Sequence, residues 1–196
     1  MAKKESTLLQ LVLTLTLIAV TAGIALAAVY TLTKGPIEQS QQKKKNEAIN
    51  QVLPNFQGEL KRCSYLVEGD KDSVVLYMAY QNDGKLFGAA VETYTNKAFS
   101  GRFDIMVGLD AEGKVLGTSV LKHSETPGLG AKITDTGSNF IKQFEGKNPA
   151  ATPLKVKKDG GEVDAITAAT ISSRAFCDAV NRAATAFKKV KEANHE

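Results

Sequence analysis

Cysteine is scarce in this 196-residue chain: only Cys63 and Cys177 are present, with no C-x-x-C pair and no cluster. Histidine is equally scarce, with only His123 and His195. Iron–sulfur ligation by this chain alone, c-type haem attachment and a structural zinc site therefore lack their ligands. The two thiols are expected to sit separately, in or near the core. Neither histidine has a nucleophile and an orienting acid at a recognisable spacing, which argues against a stand-alone hydrolase. A large surplus of one charge is also missing. The net charge is +4, and from Gly35 onward 22 basic residues nearly balance 20 acidic ones. Nucleic-acid binders carry a far stronger basic footprint, so that class is excluded. Neither a Walker A loop nor a G-x-G-x-x-G fingerprint occurs.

What the chain does have begins with a long apolar run. Leu8 to Leu32 contains no charge, and Gln10 is its only strongly polar side chain. As a helix rising ~1.5 Å per residue it spans about 37 Å, enough for a hydrocarbon core of about 30 Å. Its threonines are tolerable if their hydroxyls bond back to the preceding turn. Ala25-Leu26-Ala27 resembles a signal-peptidase site, but the run before it is too long for a signal peptide and continues past it. A retained anchor over residues 1–33 is the expectation. Lys34, Lys43, Lys44 and Lys45 outnumber Lys3 and Lys4, so lysine counting alone places the rest of the chain in the cytoplasm.

The remainder, about 160 residues, is one domain's worth of chain. Pro36 to Leu53 reads as a juxtamembrane helix that Pro54 stops, giving a segment 34–54 and a domain 55–196. Val74–Tyr80 and Leu86–Tyr94 flank Asn82-Asp83-Gly84. Phe103–Leu109 and Val115–Leu121 flank Asp110-Ala111-Glu112-Gly113. Both read as hairpins. Helices are expected over Ile133–Phe144 and Ile171–Val190, the latter with Phe176, Val180, Ala183, Ala184 and Phe187 on one face. Antiparallel hairpins followed by covering helices predict an α+β fold behind a single transmembrane helix.

Two segments can carry chemistry. His123 to Lys132, HSETPGLGAK, combines Pro127 with Gly128 and Gly130; it suits either a structural loop or a cofactor enclosure. Asp164 to Ala175 reads DAITAATISSRA and leads into the last helix. Thr167, Thr170 or Ser172 can cap that helix. The small Ala168-Ala169 pair also leaves Thr170 unshielded near a helix N-terminus, which favours a phosphate.

These motifs carry a resemblance along nearly the whole chain. With the anchor, LTKGPI (Leu32 to Ile37), the VLP end (Val52 to Pro54), ETPGLGAK (Glu125 to Lys132), NFIKQFEGK (Asn139 to Lys147) and DAITAAT, the sequence resembles the G subunits of Rnf electron-transport complexes (RnfG). Those are membrane-anchored members of the FMN-binding domain family. The resemblance implies a redox subunit of an Rnf-type ferredoxin:NAD+ oxidoreductase coupled to Na+ or H+ translocation, binding neither ferredoxin nor NAD itself. It implies FMN held by a phosphoester on Thr170, placed there by an FAD-dependent flavin transferase. It implies a cofactor site of Glu125, Thr126, Gly128, Leu129, Gly130, Lys132, Asp164, Thr167, Ala169 and Thr170. No catalytic residue and no metal ligand is assigned. Membrane lipid and the other Rnf subunits are the implied partners. The soluble domain is implied to lie outside the cytoplasmic membrane, on the periplasmic side, against the lysine count. Ala168 departs from the family's usual glycine, which costs on the order of 1 kcal/mol if that position has positive φ. The rival readings are the C subunit of a Na+-translocating NADH:quinone oxidoreductase, and a membrane-anchored structural or ligand-binding subunit without covalent flavin.

Overall fold

The computed structural model describes residues 7–67, 72–135 and 138–193. Lys3, Lys4 and His195 lie outside the described residues. By internal contacts the chain divides into two compact units, residues 1–43 and 44–196.

The first unit holds most of helix α1, Leu8–Val52. Among the described residues it is the one helix long and apolar enough to cross a membrane. Its threonines behave as expected: Thr14, Thr16, Thr21 and Thr33 each donate to the carbonyl four residues earlier, at 2.7–2.9 Å. Those bonds remove the hydroxyls as a cost in hydrocarbon. The anchor and the juxtamembrane helix are one continuous helix that includes Pro36. A proline normally drives its predecessor out of the helical region through that residue's Cβ, and Gly35 has none. The helix ends at Val52, before Leu53-Pro54.

The second unit is built on a five-stranded antiparallel meander: β1 (Gly58–Tyr65), β2 (Val74–Gln81), β3 (Leu86–Ala98), β4 (Gly101–Asp110) and β5 (Val115–Lys122), in that spatial order. Alternation along the strands gives it two apolar faces. Val74, Leu76, Ala89, Val91, Phe103, Ile105, Val107 and Leu109 face the C-terminal helix α3, Thr170–Ala193. Phe176 is the centre of that layer, its ring 6.3 Å from Phe103, 5.3 Å from Phe140 and 4.9 Å from Phe144.

Ala79, Ala90 and Met106 face the other way and are covered by Ala48, Ile49, Val52 and Leu53 at the end of α1. Gly108 and Gly117 are partners across β4 and β5. A Cβ on Gly108 would come within 1.9 Å of the Val52 carbonyl oxygen, so a notch in the sheet admits the α1 backbone. Lys45 pairs with Glu92 at 2.6 Å beside it.

The α+β layer over antiparallel hairpins is as the sequence predicts. Strand β1 was not anticipated, because most of its side chains are exposed and show no apolar alternation. The helix expected over Ile133–Phe144 is instead a 3₁₀ turn at Gly130–Thr134 and a short helix α2 at Asn139–Lys142. Asp135 is extended, and Ser138 caps α2 by accepting the Ile141 N–H at 3.4 Å. Asp and Ser favour such caps over helix interiors.

Candidate functional site

Helix α3 starts where a tight turn ends. The Ala169 N–H donates to the Ile166 carbonyl at 3.0 Å, closing a turn over Thr167-Ala168. Ala168 has φ of +60°, the conformation that favours glycine at the third position of a type II turn. The buried Ser173 hydroxyl pins this turn: it accepts the Ile166 N–H at 3.0 Å and donates to the Ala169 carbonyl at 2.9 Å. The first helical bond runs from the Ser173 N–H to the Ala169 carbonyl. The N–H groups of Thr170, Ile171 and Ser172 therefore precede the ladder and point out of the helix end, as an anion requires.

The glycine loop folds up against this helix end. Gly128 has φ of +75°, and the Leu129 and Ala131 N–H groups both return to the Thr126 carbonyl. Glu125, 5% exposed, accepts the Ser100 N–H at 2.9 Å through one oxygen and the Ser172 hydroxyl at 2.5 Å through the other. Gly130 lies so close that a Cβ there would meet Glu125 Oε2 at 2.2 Å and Ser172 Oγ at 2.9 Å. A side chain at 130 is incompatible with this arrangement.

Between loop and helix is a pocket of about 350 Å³, lined by Phe99, Glu125, Thr126, Leu129, Gly130, Ala168, Ala169, Thr170, Ile171 and Ser172. It thus brings together six of the residues anticipated from the sequence: Glu125, Thr126, Leu129, Gly130, Ala169 and Thr170. Gly128, Lys132, Asp164 and Thr167 do not line it. The Asp164 carboxylate pairs with Lys157 at 2.7 Å, while its backbone N–H and carbonyl are held by the Gln143 side chain. Glu125 lines the pocket with both oxygens engaged, so it shapes the wall. Phe99 was missed. It occupies the β3–β4 turn, where the following Ser100-Gly101 was the available turn signal.

Pocket volumes of about 300–1,000 Å³ are usual for small-molecule sites. The walls are apolar at Phe99, Leu129 and Ile171, and polar at Thr170 and the α3 N-terminus. That combination suits a planar apolar body carrying an anionic group, and a flavin mononucleotide fits the description. A larger concavity, about 590 Å³ around Lys147, Thr152 and Gly161, has none of these residues. Elsewhere near α3, Arg174 grips Asp159 through two bonds of 2.7 Å and holds that carboxyl below its usual range. Cys177 is buried and free, and burial pushes its thiol pKa up to about 12. Among the described residues no cluster of His, Cys, Asp and Glu is placed to hold a metal ion.

Residues 99–185 match the FMN-binding domain family, and residues 1–52 match the RnfG N-terminal region. The chain is 38% identical over 190 residues to the G subunit of an ion-translocating oxidoreductase complex from Aliivibrio fischeri, covering 92% of this chain and 90% of that one. The protein of the same name from Vibrio cholerae is 39% identical over 166 residues, covering 80% and 79%. Its counterpart from Salmonella typhimurium is 36% identical over 179 residues, covering 87% and 86%. Among solved structures, NqrC of Shewanella oneidensis matches with a TM-score of 0.49 and 22% identity, over 66% of this chain and 69% of that one.

Proposed function

The chain belongs to the family of G subunits of ion-translocating oxidoreductase complexes, and from that premise we propose that it is an electron-transfer subunit carrying FMN on Thr170. The observation that carries this reading is the place of Thr170. It stands on the first turn of α3, on the wall of an apolar pocket, beside N–H groups that precede the helical ladder.

In this reading the linkage is a phosphoester. The Thr170 oxygen bonds to the FMN phosphorus of FAD held by a flavin transferase, the pyrophosphate bond breaks, AMP leaves, and the hydroxyl proton passes to a base on the transferase. The α3 amides and helix dipole hold the phosphate. Phe99, Leu129 and Ile171 offer the apolar surface for the ring. Asp164, exposed and outside the pocket, is available to the transferase rather than to the bound flavin. Bound FMN supplies one- and two-electron chemistry, and the protein supplies placement and surroundings.

The relatives of 36–39% identity over most of their length, G subunits of ion-translocating oxidoreductase complexes, support an Rnf-type complex. They favour it over the NADH:quinone counterpart. Within the Rnf-type complex we assign ferredoxin, NAD+ and the translocation of Na+ or H+ to the partner subunits. We place residues 8–32 in the inner membrane and the flavin domain on the periplasmic side.

The test is the intact mass of the full chain co-expressed with an FAD-dependent flavin transferase. The expected mass is that of the polypeptide plus FMN less one water. The bare polypeptide mass would favour the anchored subunit without covalent flavin.

A further inference from the structure

Among the described residues outside α1, the large apolar side chains that remain exposed are Leu60, Leu66, Phe99, Leu129 and Ile171. Three of these, Phe99, Leu129 and Ile171, converge on the pocket beside Thr170. Phe99 is the most exposed, at 69%. A phenylalanine at the tip of a hairpin, over a pocket with an apolar rim, calls for an occupant that covers it.

A turn tip alone would not fix that ring. Ala98 and Gly101 are paired, and Phe99 and Ser100 form the link between them, with Gly101 at φ of +93°. The Ser100 N–H, however, is tied to Glu125 Oε1 at 2.9 Å, and Glu125 Oε2 is tied to the Ser172 hydroxyl at 2.5 Å. One buried carboxylate thus joins the turn carrying Phe99 to the helix end carrying Thr170, through the glycine loop. The Glu125 carboxylate occupies the space a Cβ on residue 130 would take, so glycine at that position is what admits the clasp.

We propose that Phe99 covers one face of the isoalloxazine ring attached at Thr170, and that Glu125 is a positioning residue acting through Phe99 by clasping the β3–β4 turn to α3. The proposal rests on the flavin reading and adds which side chain meets the ring and what holds it there. The clasp fixes the spacing between attachment point and cover, so the ring is kept from water on one face while its phosphate is anchored.

The chain contains no tryptophan, which makes a sensitive probe available. An indole quenches flavin fluorescence by transferring an electron to the excited ring, and this needs near contact. The experiment uses the full chain, flavinylated during co-expression with the transferase, with the adduct verified by intact mass in every variant. Phe99→Trp is expected to carry the adduct and lose its flavin fluorescence. Adding Glu125→Ala to Phe99→Trp releases the clasp and restores the fluorescence, whereas Glu125→Gln, which keeps an acceptor for Ser100, leaves it quenched. Ser172→Ala cuts one arm of the clasp with little loss of volume, and is expected to restore fluorescence if Glu125→Ala does not fold.

In the unquenched background, Phe99→Ala raises the accessibility of the flavin to iodide, and Glu125→Ala added to it brings no further rise. This non-additivity is the signature of a residue acting through another. Bright fluorescence in a fully flavinylated Phe99→Trp would overturn the proposal while leaving the flavin reading intact. So would additive effects of Phe99→Ala and Glu125→Ala. A wild-type chain without the adduct would remove the flavin reading itself.

Discussion

Ile166 and Ser173 are joined across the turn that precedes α3, with the Ile166 N–H donating to the Ser173 hydroxyl at 3.0 Å. The same hydroxyl donates to the Ala169 carbonyl, so a single side chain holds both ends of the turn that presents Thr170. Ser173→Ala leaves the Ile166 N–H without its acceptor. The expected cost is about 1–3 kcal/mol, read as a lower unfolding midpoint. Flavin occupancy is expected to fall as well, since the acceptor turn loses its fixed shape. Denaturant titration and in-gel flavin fluorescence measure the two effects.

Ala168 carries a conformational penalty at φ of +60° that glycine does not. Against this, glycine loses more backbone freedom on folding. The left-handed strain is the larger quantity, so Ala168→Gly is expected to stabilise the domain by about 0.5–1 kcal/mol. It is also expected to leave flavin occupancy equal or higher, because the approach to Thr170 widens by a methyl group. A fall in both stability and occupancy would show that the alanine methyl makes a contact the turn depends on.

Much of this architecture was legible in the sequence, for identifiable reasons. Strands β2 to β5 bury apolar residues between clear turn signals, and α3 buries Phe176, Val180, Ala183 and Phe187 on one stripe. Strand β1 half-buries only Cys63 and Tyr65, too little apolar alternation to betray it. The helix α1 continues through Pro36, where Gly35 removes the Cβ part of the clash that a proline makes with its predecessor. Six of the ten residues of the pocket wall were legible because Glu125 to Gly130 and Ala169-Thr170 lie in two compact motifs. Phe99 was not, since only the β3–β4 pairing carries it to the loop, and nothing local marks an exposed aromatic as part of a site. The burial of Glu125 was equally hidden, being a product of its bonds to Ser100 and Ser172.

The thiol of Cys177 offers a pH-dependent check on the core. Burial raises its pKa to about 12, against about 8.5 for a free cysteine. A group with a raised folded pKa contributes stability that is complete below the unfolded value and is lost as pH rises toward the folded one. The Cys177 contribution is therefore full below pH ~8.5 and declines from there toward 12. Cys177→Ala should flatten that part of the stability profile. Alkylation at about pH 8 is expected to spare Cys177 in the folded protein and to reach it after denaturation. Cys63, half-buried on β1 with its thiol also raised by burial, is expected to react first.

Thr170 alone is expected to bear the flavin, and peptide mass mapping of the full chain co-expressed with the transferase decides this. Thr167, Ser172 and Ser173 offer hydroxyls within three residues, but Ser172 donates to Glu125, Ser173 closes the turn, and Thr167 lies outside the pocket. Thr170→Val keeps the volume and β-branching while removing the oxygen, so the variant is expected to purify folded. FMN is expected on the Thr170 peptide of the wild type, localised to that residue by fragmentation, with Thr170→Val unmodified and non-fluorescent. An adduct on Thr167, Ser172 or Ser173, or full flavinylation of Thr170→Val, would contradict the assignment to Thr170.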